Sequence, residues 1–289
     1  MLLVLKSSRG GRKVLGFNRK MQEKIFFFSI GILATLTFIP LFHIIITVLL
    51  KGLPVILEKG SKFITGTLSE GGIGPAIVGS FVLTFLSALL GVPIAFLVGV
   101  YVYENPRSTL GRWVKTLLQI MIEFPTILVG VFVMRAIVVP MGTYSAFAGA
   151  LALAIILTPY VAIYTHEALR EIPQTYREAG FSLGLTRAKV IFRVLVPMAK
   201  RGILTGILIG MAKAAGETAP LLFTAGGLYE SYPSSITEPI GAIPLLIYQL
   251  VQSPNPADHA TAWGASLVLL AIFLGIFIPI RLSLKEVKL

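Results

Sequence analysis

Six stretches of this 289-residue chain are apolar for long enough to cross a bilayer as helices, at about 25–50, 76–103, 116–139, 143–165, 203–225 and 260–281. An α-helix rises 1.5 Å per residue, so a hydrocarbon layer of ~30 Å needs about 20 residues. No water reaches the backbone at that depth, and a helix satisfies its own amides and carbonyls. The expected fold is therefore all-α, a polytopic membrane protein with six transmembrane helices. Composition agrees: 55% of residues are hydrophobic and 13% charged, against about 25% charged in soluble domains. The first stretch follows a basic segment with no small-residue cleavage site behind it, so it is expected to be retained.

Charge placement sets the expected orientation. Of the 25 Lys and Arg, twenty fall on one side. They lie in the N-terminal tail (Lys6 to Lys24), after the second stretch (Arg107, Arg112, Lys115), after the fourth (Arg170 to Arg201) and in the C-terminal tail (Arg281, Lys285, Lys288). The opposite loops hold only Lys51, Lys59 and Lys62. Positive charge concentrates on cytoplasmic loops, so both termini are expected in the cytoplasm and the chain in the inner, cytoplasmic membrane. The net charge of +12 then faces anionic membrane lipids and gives no reason to invoke nucleic acid. The chain has no cysteine, which removes disulfides, thiol catalysis and Cys-ligated metals. His43, His166 and His259 lack metal spacing, so no metal site is expected. An outer loop at about 226–259 has no Lys or Arg and holds a short apolar piece, Ile240 to Val251. At about 12 residues it is too short to span and suggests an interfacial or partly re-entrant helix.

The largest cytoplasmic loop runs from Tyr176 to Pro197. Gln174 to Ala179 reads as a helix, Gly184 breaks the pattern, and a second helical piece starts at Thr186, an N-cap residue type. Val190, Ile191, Val194 and Leu195 share one side of it. Two short amphipathic helices joined at a glycine make a ridge that can dock into a partner's cleft. A plain surface hairpin touching headgroups explains the pattern equally well.

Four charges lie inside apolar stretches: Glu123, Arg135, Lys213 and Glu217. Each costs about 2.5–3.5 kcal/mol or more at mid-bilayer unless paired or wetted. Lys213 and Glu217 are four apart, hence on one helix face, and suit a mutual ion pair that Glu123 and Arg135 can extend. Structural alternatives stand beside this: Arg135 snorkelling to headgroups, Glu123 lying shallow near Pro125, and Lys213–Glu217 as a purely structural pair. Cations partly neutralised by carboxylates would give an anion path positive potential without too tight a grip. Pro93, Pro125, Pro159 and Pro220 also fall inside stretches, where each can kink a helix. No paired carboxylates or Ser/His pair at workable spacing points to an enzyme. There is no Gly-x-x-x-x-Gly-Lys-Ser/Thr loop to cradle a nucleotide.

The loop resembles the EAA loop of ABC importer permeases, written Glu-Ala-Ala, three residues, Gly, nine residues, Ile, one residue, Leu-Pro. Glu178, Ala179 and Gly180 stand in the Glu-Ala-Ala place, Gly184 at the glycine, Val194 for Ile, Val196 for Leu, then Pro197. The run from Lys213 through Gly216-Glu217-Thr218-Ala219-Pro220 to Ala225, and Gly71 to Ile77, are similar to the permease subunits of phosphate ABC importers. The resemblance covers about 71–281. It implies a type I ABC importer permease domain there, with a cytoplasmic coupling loop at 166–202, a basic tail at 1–24, a first helix and external loop at 25–70 and a tail at 282–289. Glu178, Ala179, Gly180, Gly184 and Pro197 would couple to an ATPase, while Arg135, Lys213, Glu217, Thr218 and Glu123 are candidates for the translocation path. Where these permeases carry a basic residue before Gly-Glu-Thr, Lys213 offers a point charge, not a bidentate fork. The implied partners are a second related permease, two ATPase subunits that bind ATP, and an external phosphate-binding protein. This chain itself would bind no cofactor and catalyse no reaction. A permease for molybdate or sulfate, or a membrane scaffold or enzyme without transport, are the other readings.

Overall fold

The structure, a computed structural model, describes residues 19–283. The basic residues before Arg19, together with Lys285 and Lys288, lie outside the described residues, as do most of the expected tails at 1–24 and 282–289. The chain divides into two compact units, one ending at Leu49 and one beginning at Leu50. Helix α1 (Arg19–Lys59) contains the boundary. In the first unit Thr35, Thr37 and Thr47 donate to carbonyls one turn back, at 2.7–2.9 Å, which satisfies hydroxyls in an otherwise apolar helix.

The second unit continues with α2 (Ser61–Thr65), α3 (Gly74–Glu104), α4 (Thr109–Glu123) and α5 (Thr126–Val133). A π-turn, Met134–Val138, leads into α6 (Val139–Met141) and then α7 (Ala146–Arg170). Next come α8 (Gln174–Ser182), α9 (Arg187–Val190), a second π-turn at Ile191–Leu195, and α10 (Val196–Ala215). Helices α11 (Ala219–Leu222), α12 (Ile243–Val251) and α13 (Pro256–Ser283) complete it. Among the described residues the only β-type pairing is an isolated bridge, Gly226 to Ile240. Among the described residues five helical segments are long and apolar enough to cross a membrane, or six if the bent pair α4–α5 counts as one span. The apolar piece in the outer loop forms α12, nine residues long, whose Ile243, Leu245, Leu246 and Leu250 are buried.

Two expectations need correction. The third stretch, 116–139, is not a straight span: α4 and its continuation meet at 100° across Phe124-Pro125. Pro125 has no N–H to donate and its residue before is held extended, with Phe124 at ψ 133°, which stops α4 there. The fifth stretch, 203–225, begins earlier and ends earlier. Its helix runs from Arg187 to Ala215, and Pro220 stands in a new helix, α11, beyond an irregular Gly216-Glu217-Thr218. Pro125 and Pro220 therefore sit at breaks, while Pro93 and Pro159 lie inside α3 and α7.

Helix α7 is the central element, and small residues explain how its neighbours approach it. On α10, Gly202, Gly206 and Gly210 recur every four residues on one face. A Cβ on Gly202 would lie 2.5 Å from the Ala168 Cβ, and one on Gly206 would collide with Tyr164. On α3, a Cβ on Gly99 would lie 2.5 Å from the Ala162 carbonyl oxygen. Inside lipid no hydrophobic force draws apolar helices together, so close backbone packing supplies the contact energy. The core it encloses includes Leu83, Leu153, Leu157 and Val161, all buried.

Candidate functional site

The loop between α7 and α10 folds as a helix, a glycine turn and a helix. Helix α8 ends where Gly184 takes φ +73°, a left-handed conformation that costs an L-residue about 1–2 kcal/mol. Open space surrounds the position where its Cβ would stand, so backbone geometry alone calls for glycine. Thr186 is the N-cap of α9, in extended backbone, without a side-chain capping bond. The second helical piece is not short: it continues through the π-turn into α10 as one 29-residue helix. Pro197 is the reason for the π-turn. Proline cannot donate to the preceding turn and its ring crowds it. Widening that turn to i→i+5 absorbs both. The same device recurs at Met134–Val138, two residues ahead of Pro140.

One face of this loop is fixed by apolar packing. Val190, Ile191 and Leu195 are buried with Leu169, Ile172 and Ile203. Gly180 is buried against Val190, where an added Cβ would lie 2.9 Å from a Val190 methyl. That contact accounts for a glycine in the third place of the Glu-Ala-Ala stretch. The opposite face is open. Glu178, Ala179 and Gly184 are exposed, and Tyr176, Phe181 and Leu183 expose large apolar surface, Leu183 to 80%.

The residue that holds the loop to the membrane helices is Glu104, the last residue of α3, which sequence reasoning missed. Its carboxylate, 6% exposed, receives Arg177 of α8 through two parallel bonds of 2.7 and 2.9 Å. Arg187 of α9 also donates to the carboxylate, and to the Glu104 carbonyl at 2.9 Å. Burial works against the charge on the Arg177 guanidinium, but the Glu104 carboxylate outweighs it and holds the group above its ordinary pKa. Arg177 also lies 5.8 Å from the Tyr103 ring and 5.7 Å from the Phe181 ring. The only sequence signal was a lone carboxylate ending an apolar stretch; its partners are 73 and 83 residues away.

The charges expected in the membrane separate into one pair and two isolated groups. Lys213 bonds Glu217 at 2.6 Å, with Glu217 buried and Lys213 half-exposed. The pair sits where α10 has just ended, with Lys213 in the last turn, where the helix dipole favours a cation. Thr218 follows, half-buried, and its carbonyl accepts from Leu221 and Leu222 to start α11. Helix α11 is held against α5 closely enough that a Cβ on Gly130 would lie 2.6 Å from the Pro220 Cα. Glu123 is exposed at the bend after α4, and Arg135 is exposed within the first π-turn. Neither forms an ion pair among the described residues, so the structure does not join them to Lys213–Glu217.

Comparison with known proteins places this arrangement. Residues 91–285 match the family described as the binding-protein-dependent transport system inner membrane component. The probable phosphate transport system permease protein PstA of Methanocaldococcus jannaschii is 68% identical over 93% of this chain and 95% of its own. The phosphate transport system permease protein PstA of Xylella fastidiosa is 38% identical over 84% of this chain and 85% of its own. Among solved structures, a bacterial ABC transporter involved in the import of the acidic polysaccharide alginate covers 93% of this chain and 98% of its own, at a TM-score of 0.66 and 14% identity. The MetNI methionine ABC transporter in an inward-facing conformation covers 74% of this chain and 96% of its own, at a TM-score of 0.61 and 22% identity. The all-helical fold is thus that of type I ABC importer permeases, and the chain belongs to the family of binding-protein-dependent transport system inner membrane components.

Proposed function

We propose that this chain is the permease subunit of an ATP-driven ABC importer that carries inorganic phosphate inward by alternating access. The observation that carries this reading is the 68% identity, over 93% of the chain, to a relative named as a phosphate permease. The open ridge at Tyr176, Phe181 and Leu183 offers apolar surface to an ATPase, with Glu178 beside it and Gly184 setting the turn. ATP binds and is hydrolysed on two such partner subunits, and this chain holds no cofactor of its own. A second related permease and an external phosphate-binding protein complete the assembly. The chain sits in the inner membrane with both termini in the cytoplasm.

The mechanism follows from the bonds at the loop. Closure of the ATPases pushes α8. Glu104, Arg177 and Arg187 pass that push to the end of α3, and the continuous α9–α10 helix carries it to Lys213 and Glu217. Lys213 is the group that attracts the anion, and Glu217 keeps it from holding too tightly. Thr218 offers a hydroxyl on the same segment. Arg135 and Glu123 sit on the bent α4–α5 pair and line the path only if that pair faces it in the assembly. Radiolabelled phosphate uptake by the reconstituted complex, with sulfate and molybdate as competitors, tests the cargo. Competition by sulfate or molybdate equal to that by phosphate would overturn it.

A further inference from the structure

A cavity of about 390 Å³ lies where the ends of α3 and α7 meet the start of α4 and α8. Arg112, Lys115, His166 and Arg170 line it, with Tyr103 and Gln174. Three fixed cations there face one carboxylate, Glu167. That carboxylate stands 3.7 Å from both Lys115 and Arg170 and 3.5 Å from the His166 Nε2. These distances exceed the 2.7–2.9 Å of a charge-assisted hydrogen bond, so Glu167 neutralises its neighbours only loosely. The Arg112 guanidinium has no hydrogen bond or ion pair among the described residues.

His166 forms part of the cavity wall beside Lys115. It is more than nine-tenths buried. Its Nε2 lies 3.3 Å from the Lys115 ammonium. An ammonium donates and cannot accept, so Nε2 takes the acceptor role and the neutral ring carries its hydrogen on Nδ1. That Nδ1 is buried without any hydrogen-bond partner. An anion with several acceptor oxygens would offset the surplus positive charge that Arg112, Lys115 and Arg170 bring to the cavity. A phosphate monoester group, at about −1.5 to −2 near pH 7, matches a surplus of two charges, and Arg112 offers the planar fork that such oxygens prefer. Basic pockets between membrane helices on this face hold lipid phosphates in the same way.

We propose that this cavity is a cytoplasmic binding site for a terminal phosphate group, separate from the Lys213–Glu217 pair. Free inorganic phosphate and the headgroup of phosphatidate share that chemistry. Occupancy braces α3, α4 and α7 against the first turn of α8, the helix that bears Arg177. The inference stands on the cavity and not on the identity of the cargo.

The test uses the assembled complex in nanodiscs of phosphatidylcholine, either with added inorganic phosphate or with phosphatidate in the bilayer, and native mass spectrometry to count bound ligand. A Lys213→Ala background removes the path's own contribution. Arg112→Gln and Arg170→Gln each change an exposed side chain that lines the cavity. Arg193→Gln, exposed on the second π-turn, is the charge-matched control. Each cavity variant should weaken retention of one of the two probes about tenfold or more, the size of one lost hydrogen bond to a charged group, while the control leaves it unchanged. Loss of phosphate alone assigns a free anion, and loss of phosphatidate alone assigns a headgroup. Retention of neither probe, or equal losses in Arg112→Gln and Arg193→Gln, overturns the proposal.

Discussion

Replacing Glu104 by glutamine keeps the side-chain shape and deletes the charge shared by two arginines, so it isolates the pin between α3 and the loop. The two arginines are unequal. The Arg177 side chain is 22% exposed against Glu104 at 6%, whereas Arg187 is 56% exposed. Breaking a buried pair from one side costs about 3–5 kcal/mol; an exposed pair is worth about 0–1 kcal/mol. Glutamine can still accept one hydrogen bond, which places Glu104→Gln near the lower bound, at about 3 kcal/mol. At about 1.4 kcal/mol per tenfold, the loop opens on the order of 10² times more often. Hydrogen exchange reads this directly at the amides of Leu183, Gly184 and Leu185, which donate to Ala179, Phe181 and Gly180. A double-mutant cycle with Arg177→Met should return a coupling of about 2–3 kcal/mol, and one with Arg187→Met less than about 1 kcal/mol. Exchange at these amides rising less than about threefold, or a larger coupling to Arg187 than to Arg177, would refute the reasoning.

Gly184→Val forces a β-branched residue into φ +73° and should cost about 1–2 kcal/mol at the turn. ATP hydrolysis and uptake, measured on one preparation, should fall out of step while insertion stays normal. Replacing Glu178 should do the same through the exposed face, and unchanged uptake in both variants would count against docking there. Lys213→Ala should lower phosphate flux at full expression and leave Glu217 buried without its partner; normal flux would make the pair structural only. Gly206→Ala should destabilise by about 1–3 kcal/mol by overpacking, since its Cβ meets Tyr164. Gly275→Ala on α13, with nothing within 4 Å, should gain up to about 1 kcal/mol of helix propensity; equal melting shifts would remove the close-packing account. Gly180→Ala should lie between them, because the helix gain opposes the Val190 contact.

The sequence by itself determined that the chain crosses a membrane, because runs of about 20 apolar residues are a local property and no tertiary partner is needed to read them. It also located the ridge, since a glycine between two amphipathic patterns is visible within 20 residues; it paired Lys213 with Glu217 from a four-residue spacing on one helix face, whereas the structure forms the pair across the end of α10, with Glu217 beyond Ala215. The broken third span was half-legible: Pro125 marked it, but the 100° bend goes with the packing of α5 against α7 and Pro220, which local sequence does not show. Where α10 ends was equally hidden, because the stretch 203–225 is apolar on both sides of Gly216-Glu217-Thr218 and long enough to read as one span. Only tertiary structure decided the role of Glu104, whose partners are brought together from 73 and 83 residues away. It alone decided that Glu123 and Arg135 stand apart from the Lys213 pair, and that Arg112, Lys115, His166 and Arg170 share a cavity. Hydrophobicity and helical period act between near neighbours along the chain, whereas ion pairs and close helix contacts act between whichever surfaces the packed helices bring within a few ångströms.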